Sequence, residues 1–157
     1  MLISEVAVDV NAESPLLIVV GAHLQAEVEQ RPLAYRLCDQ IRRWQEDHNC
    51  TEDGATPLVC CDLWYLNAND LLQRPVIAIG DPEFNAATAY LANRLPTALV
   101  VDDSLRVQLD PEFIDLKVCV WGVTPAATAS GVELFSDRYL DAFLRAVHSL
   151  PSTPSAD

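Results

Sequence analysis

The chain reads as a three-layer α/β sandwich: a mostly parallel sheet with helices on both faces and an antiparallel hairpin at one edge, in a flavodoxin-like or Rossmann-like order. Three observations predict this. A strand-like apolar run, a glycine and a helical pattern recur three times, as LLIVVGAHLQAE from 16, PVIAIGDPEFNAATAYLA from 75 and KVCVWGVTPAATASGVELF from 117. The runs are continuous rather than alternating, as expected for strands buried on both faces. One segment, 105–109, does alternate and marks a strand with one solvated face. The spacing of the units is too irregular for a solenoid.

The elements follow in order. Residues 3–10 alternate imperfectly, with Val6, Val8 and Val10 on one face, and predict a short edge strand. Residues 16–21 form the first buried strand. A helix follows, striped by Leu33, Leu37, Ile41 and Trp44, with Pro32 placed in its first turn. Residues 46–57 are charged and broken by Asn49, Gly54 and Pro57, which predicts a loop. LVCCD at 58–62 is the second buried strand, and 67–73 a helical turn with Asn69 as its cap.

VIAIG at 76–80 is the third strand. Its helix is expected from about Glu83 to Arg94, with Pro96 ending it. Residues 98–101 and 105–109 flank Asp102-Asp103-Ser104 and predict the edge hairpin. KVCVWG at 117–122 is the last buried strand. One final helix is expected, striped by Val132, Phe135, Tyr139, Phe143 and Val147. The whole reads as one domain over 1–150, followed by a frayed tail at 151–157.

Charge and cysteines narrow the function. The 157 residues carry a formal charge of −13, with 23 acidic against 10 basic residues. Such a surface repels phosphate backbones and anionic lipid, which disfavours nucleic acid and membrane as partners. The N-terminus lacks a basic n-region and meets Glu5 early, so a secretory signal is not expected and a cytoplasmic location is. The five cysteines are odd in number, and Cys60, Cys61 and Cys119 stand in apolar runs. They read as small buried hydrophobes, not a disulfide framework. No C-x-x-C pair, G-x-G-x-x-G or P-loop occurs, so neither a metal site nor a nucleotide cofactor is expected.

In open α/β sheets ligands bind beyond the carboxyl ends of the strands. That rule selects Gly21, Ala22 and His23, Asp62 and Trp64, Gly80, Asp81, Glu83 and Asn85, and Gly122, Thr124 and Thr128, among which His23, Asp62, Asp81, Asn85, Thr124 and Thr128 are the candidate binding residues. Asp81-Pro82 and Thr124-Pro125 also read as ordinary helix openings, a cap followed by proline. Asn85 and Thr128 fall in first turns among small apolar neighbours, where they could meet across the crevice or meet a small anion. His23 has the chemistry of a general base, but no serine or cysteine stands in a nucleophile elbow beside it.

Residues 76–144 resemble a module of archaeal S-layer-type proteins. There a strand leads into a G-G-P-x-x-N loop and helix, a hairpin, then a strand, a glycine and a T-x-x-A-like helix. The matching residues are Gly80-Asp81-Pro82 with Asn85, then Gly122 and Thr128, with Asp81 in place of the second glycine. The resemblance covers under half of the chain and implies a non-enzymatic α/β module used in assembly or cell-surface contact. Two functions from different classes follow. The first is a non-catalytic binding or assembly domain, with a homo-oligomer or protein partner. The alternative is a small-molecule enzyme or sensor using the strand-end crevice.

Overall fold

The computed structural model describes residues 15–51 and 55–151. Six strands form one sheet: β1 (Pro15–Val20), β2 (Thr56–Cys61), β3 (Val76–Ile79), β4 (Thr97–Val101), β5 (Leu105–Leu109) and β6 (Lys117–Gly122). Their spatial order is β2-β1-β3-β6-β5-β4. The first four in that order are mutually parallel, and β5 runs antiparallel to both β6 and β4. The predicted mixed sheet with an antiparallel edge is thus the observed one. The expected strand at 3–10 lies outside the described residues.

The helices are α1 (Leu24–Glu29), α2 (Arg31–Asp47), α3 (Asp62–Asn67), α4 (Ala86–Ala92), α5 (Pro125–Arg138) and α6 (Leu140–Val147). Helices α2, α5 and α6 cover one face, where Leu37, Ile41, Phe135 and Phe143 pack on Ile18, Ile77 and Val118. The other face takes α3 and α4, where Tyr65, Ala87 and Leu91 pack on Leu17, Val19 and Ala78. β1 and β3 are buried along their whole lengths. Each fully buried Leu or Ile contributes on the order of 2 kcal/mol. This double cover is why those runs carry no alternation.

Four expectations need correction. The third helix opens at Ala86, not near Glu83, because Asn85 has extended backbone and its side chain caps Ala87 and Thr88. The second strand, expected buried and running to Asp62, is the half-buried outer strand of the sheet and ends at Cys61, and Asp62 opens a helix. The turn beyond it is a single 3-10 turn at Leu71–Gln73 that begins from Asp70, so Asn69 is not its cap. The final helix is two helices that meet at Tyr139, whose φ is −126°. The break lets Phe143 turn onto Phe135, ring centroids 6.2 Å apart, while α6 packs beside α5. A continuous apolar stripe cannot signal such a bend, since it satisfies a straight helix equally well.

Candidate functional site

The chain order reverses about β1: β2 lies on one side of it, and β3 and β6 on the other. A switch point of this kind leaves a crevice at the carboxyl ends of β1 and β3. Here the crevice is filled. Gln30, buried between α1 and α2, accepts the Gly21 N–H through Oε1 at 2.8 Å. The carbonyl of Phe84 presses on Gly21 so closely that a Cβ there would overlap it. Gly80 has φ +122° and lies against the Gln30 side chain, so both its conformation and its space require glycine.

Asn85 closes the same crevice from α4. It has no solvent exposure, and all four of its amide bonds are made. Oδ1 accepts from Ala87 N–H at 2.9 Å and Thr88 N–H at 3.2 Å. Nδ2 donates to Val19 O at 3.0 Å and Ile79 O at 2.8 Å. One side chain therefore caps a helix and ties the ends of β1 and β3 together. Asp62 does similar work between β1 and α4. Its oxygens accept Ala22 N–H at 3.1 Å and Ala86 N–H at 2.7 Å.

The remaining candidates are also engaged. Thr128 Oγ1 accepts the Gly122 N–H at 3.0 Å. Thr124 accepts the Ala127 N–H at 3.1 Å as the cap of α5. Asp81 Oδ1 accepts the Glu83 N–H at 2.7 Å in the turn before Asn85. His23 caps α1, with Nδ1 accepting the Gln25 N–H at 3.1 Å. The Nδ1 lone pair is thus spent on that cap. Its ring lies 5.2 Å from that of Phe84.

Between β3 and β6 the surface opens into a cleft of about 180 Å³. Asp81 and Phe84 line one side, Val123 and Thr124 another, and Gln25 and Glu29 of α1 a third. The Gly80 and Gly122 loops therefore adjoin. Ionisable groups in the lining are acidic, Glu29 and Asp81, which opposes binding of a phosphate or carboxylate. Asn85 is not in the lining, and Thr128 enters it only with its hydroxyl already bonded. Among the described residues, no three of His, Cys, Asp and Glu are grouped so as to hold a metal ion.

No family model, characterised protein or solved structure matches this chain.

Sequence reasoning missed Gln30 and Phe84, which fill the crevice. The nearest signal is Pro32, which marks a new helix start and hence a break at Gln30. It also missed the exposed apolar residues Leu24, Val28, Leu63 and Val123 around the same end, having placed only Trp64 there. The spacing of Leu24 and Val28, one turn apart, resembles a core stripe; only the burial of Ala26 on the opposite side of α1 identifies it as the outer face.

Two buried thiols flank the region. Burial pushes Cys60, near the end of β2, up to about 12. The same cause takes Cys119, in β6, up to about 12. Neither is a nucleophile near neutral pH.

Proposed function

We propose that this domain is a non-catalytic binding or assembly module that works through protein contacts. The observation that carries the reading is the commitment of Asn85, whose whole amide is spent inside the fold at the place where α/β sheets usually meet a ligand. Asp62, Thr124, Thr128 and His23 support it, since each spends its polar atoms on backbone N–H groups. A ligand recruiting these atoms would have to break helix caps. Large apolar side chains at the same end are left in water, which favours recognition by another polypeptide. The likeness of 76–144 to an S-layer-type assembly module points the same way. Action in the cytoplasm belongs to this reading. Among the described residues no helix is long and apolar enough to cross a membrane.

The alternative, a small-molecule enzyme or sensor, has one observation in its favour: the cleft joins the Gly80 and Gly122 loops. Its volume falls below the roughly 300 Å³ at which ordinary ligand pockets begin. Thermal-shift measurement against nucleotides, sugar phosphates, amino acids and small carboxylates separates the two. We expect no shift. A stabilisation of several degrees that disappears in Asp81→Ala or Thr124→Ala establishes the alternative instead.

A further inference from the structure

Nine large apolar side chains stand exposed among the described residues. Five of them follow the carboxyl ends of β1, β2 and β6: Leu24, Val28, Leu63, Trp64 and Val123. Leu24 is 78% exposed, Val28 70% and Val123 59%. All five share that end of the sheet, as a broken belt of apolar side chains. The Ala22–Asp62 bond fastens the root of α1 to the root of α3. Val123 faces α1 across the cleft. The burial of Ala26 turns Leu24 and Val28 outward.

Acidic side chains border this belt. Glu29 lies on α1, where Glu27 is paired, and Asp81 and Glu83 lie on the loop after β3. The hairpin tip with Asp102 and Asp103 is held beside Val123, whose N–H donates to Ser104 O at 2.9 Å. The nearby bases are already engaged. Arg31 pairs with Glu27 at 3.0 Å, and the Arg106 guanidinium lies 5.7 Å from the centre of the Trp121 ring. An apolar surface with an acidic border complements one kind of occupant, which offers apolar side chains flanked by cations.

We propose that the belt docks a basic, apolar segment of another protein, such as an amphipathic helix with lysine or arginine beside leucine. This rests on the reading that the domain works through protein contacts. A second copy is a poorer occupant, because two belts face to face would bring both acidic borders together in a chain of charge −13. Anionic lipid is repelled for the same reason.

The test is calorimetric titration of the full chain with two synthetic 14-residue amphipathic helices. One carries lysine opposite leucine; the other carries glutamate in place of lysine. The lysine peptide should bind and the glutamate peptide should not. Affinity for the lysine peptide should fall at least tenfold in Leu24→Glu/Val28→Glu, although that variant gains two negative charges. Loss of binding despite added attraction isolates the apolar contact. Leu24→Gln/Val28→Gln serves if circular dichroism shows the first variant unfolded, and Val100→Glu, at the far edge strand, should leave affinity within twofold.

Equal binding of the lysine peptide to wild type and belt variants overturns the inference, as does equal binding of the two peptides. Light scattering that shows a wild-type dimer lost in Leu24→Glu/Val28→Glu assigns the belt to a second copy; the basic partner then falls while the binding-module reading stands. A small molecule that occupies the cleft in the thermal-shift panel removes that reading itself.

Discussion

The two openings at the carboxyl end of this sheet are built from the same strand–glycine–helix unit and end differently. Between β1 and β3 the space is closed by Gln30, Phe84 and Asn85. Between β3 and β6 it remains a cleft, because Val123 turns outward and the Thr124 and Thr128 hydroxyls bond back to their own helix and strand end. The unit does not specify whether its mouth is a binding site. What decides is whether a bulky side chain from a third element reaches in. Gln30 does so from the junction of α1 and α2, bonding Gly21 and lying against Gly80, while toward β6 it only lines the wall of the cleft.

The comparison breaks most directly at Asn85. Asn85→Ala should lose about 4 kcal/mol in urea denaturation, because it removes a cap and leaves two strand-end carbonyls unsatisfied. Gly21→Ala should cost about 3 kcal/mol, since its methyl must displace the Phe84 carbonyl. If either variant keeps wild-type stability, the crevice is looser than the hydrogen bonds imply.

Alkaline titration samples the buried thiols of β2 and β6, Cys60 and Cys119, on the sheet face covered by α3 and α4. Both folded-state values are raised above the ordinary 9.0. Folding therefore favours the neutral thiols. Their contribution is fully present below pH 9 and is lost as pH rises toward about 12. Each thiol can remove at most roughly 1.4 kcal/mol per pH unit in that window. Iodoacetamide at pH 8 should label the half-buried Cys61 well before Cys60 or Cys119. Rapid native labelling of Cys119 would contradict its burial.

At the open cleft the expected losses are smaller. Thr128→Val should cost about 1.5 kcal/mol, through an unpaired Gly122 N–H. Leu24→Glu/Val28→Glu should change stability by less than about 0.5 kcal/mol, because both side chains are exposed. A large loss there would mean the belt supports the fold rather than a partner.

Much of the fold was legible in the residues. Unalternating runs such as Val76–Ile79 announced strands covered on both faces, and the Leu105–Leu109 segment announced the antiparallel hairpin. Its alternation misled about solvent, because β4 lies outside β5 and Gln108, expected in water, is buried and donates to Ala92 O and Leu95 O. Asp102 and Asp103 at the hairpin tip adopt positive φ, +51° and +55°, as short polar turn residues can. The helix starting at Asp62 was not legible, because Leu63 and Trp64 present no buried face to a periodicity argument. Nor was the break at Tyr139, where the apolar stripe runs on through both helices.

The candidate site was legible as a location only. His23, Asp62, Asp81, Asn85, Thr124 and Thr128 all lie at the carboxyl end of the sheet, where strand order and glycines placed them. The sequence by itself determined the layered α/β architecture, because strand, turn and helix signals act between residues a few positions apart. Only the tertiary structure decided what those polar side chains do. Asn85 bonds Val19 across 66 residues, and Asp62 bonds Ala22 across 40. Such bonds depend on which strands become neighbours, and no local pattern encodes that choice. The same pairing leaves Leu24, Val28 and Trp64 outside the core.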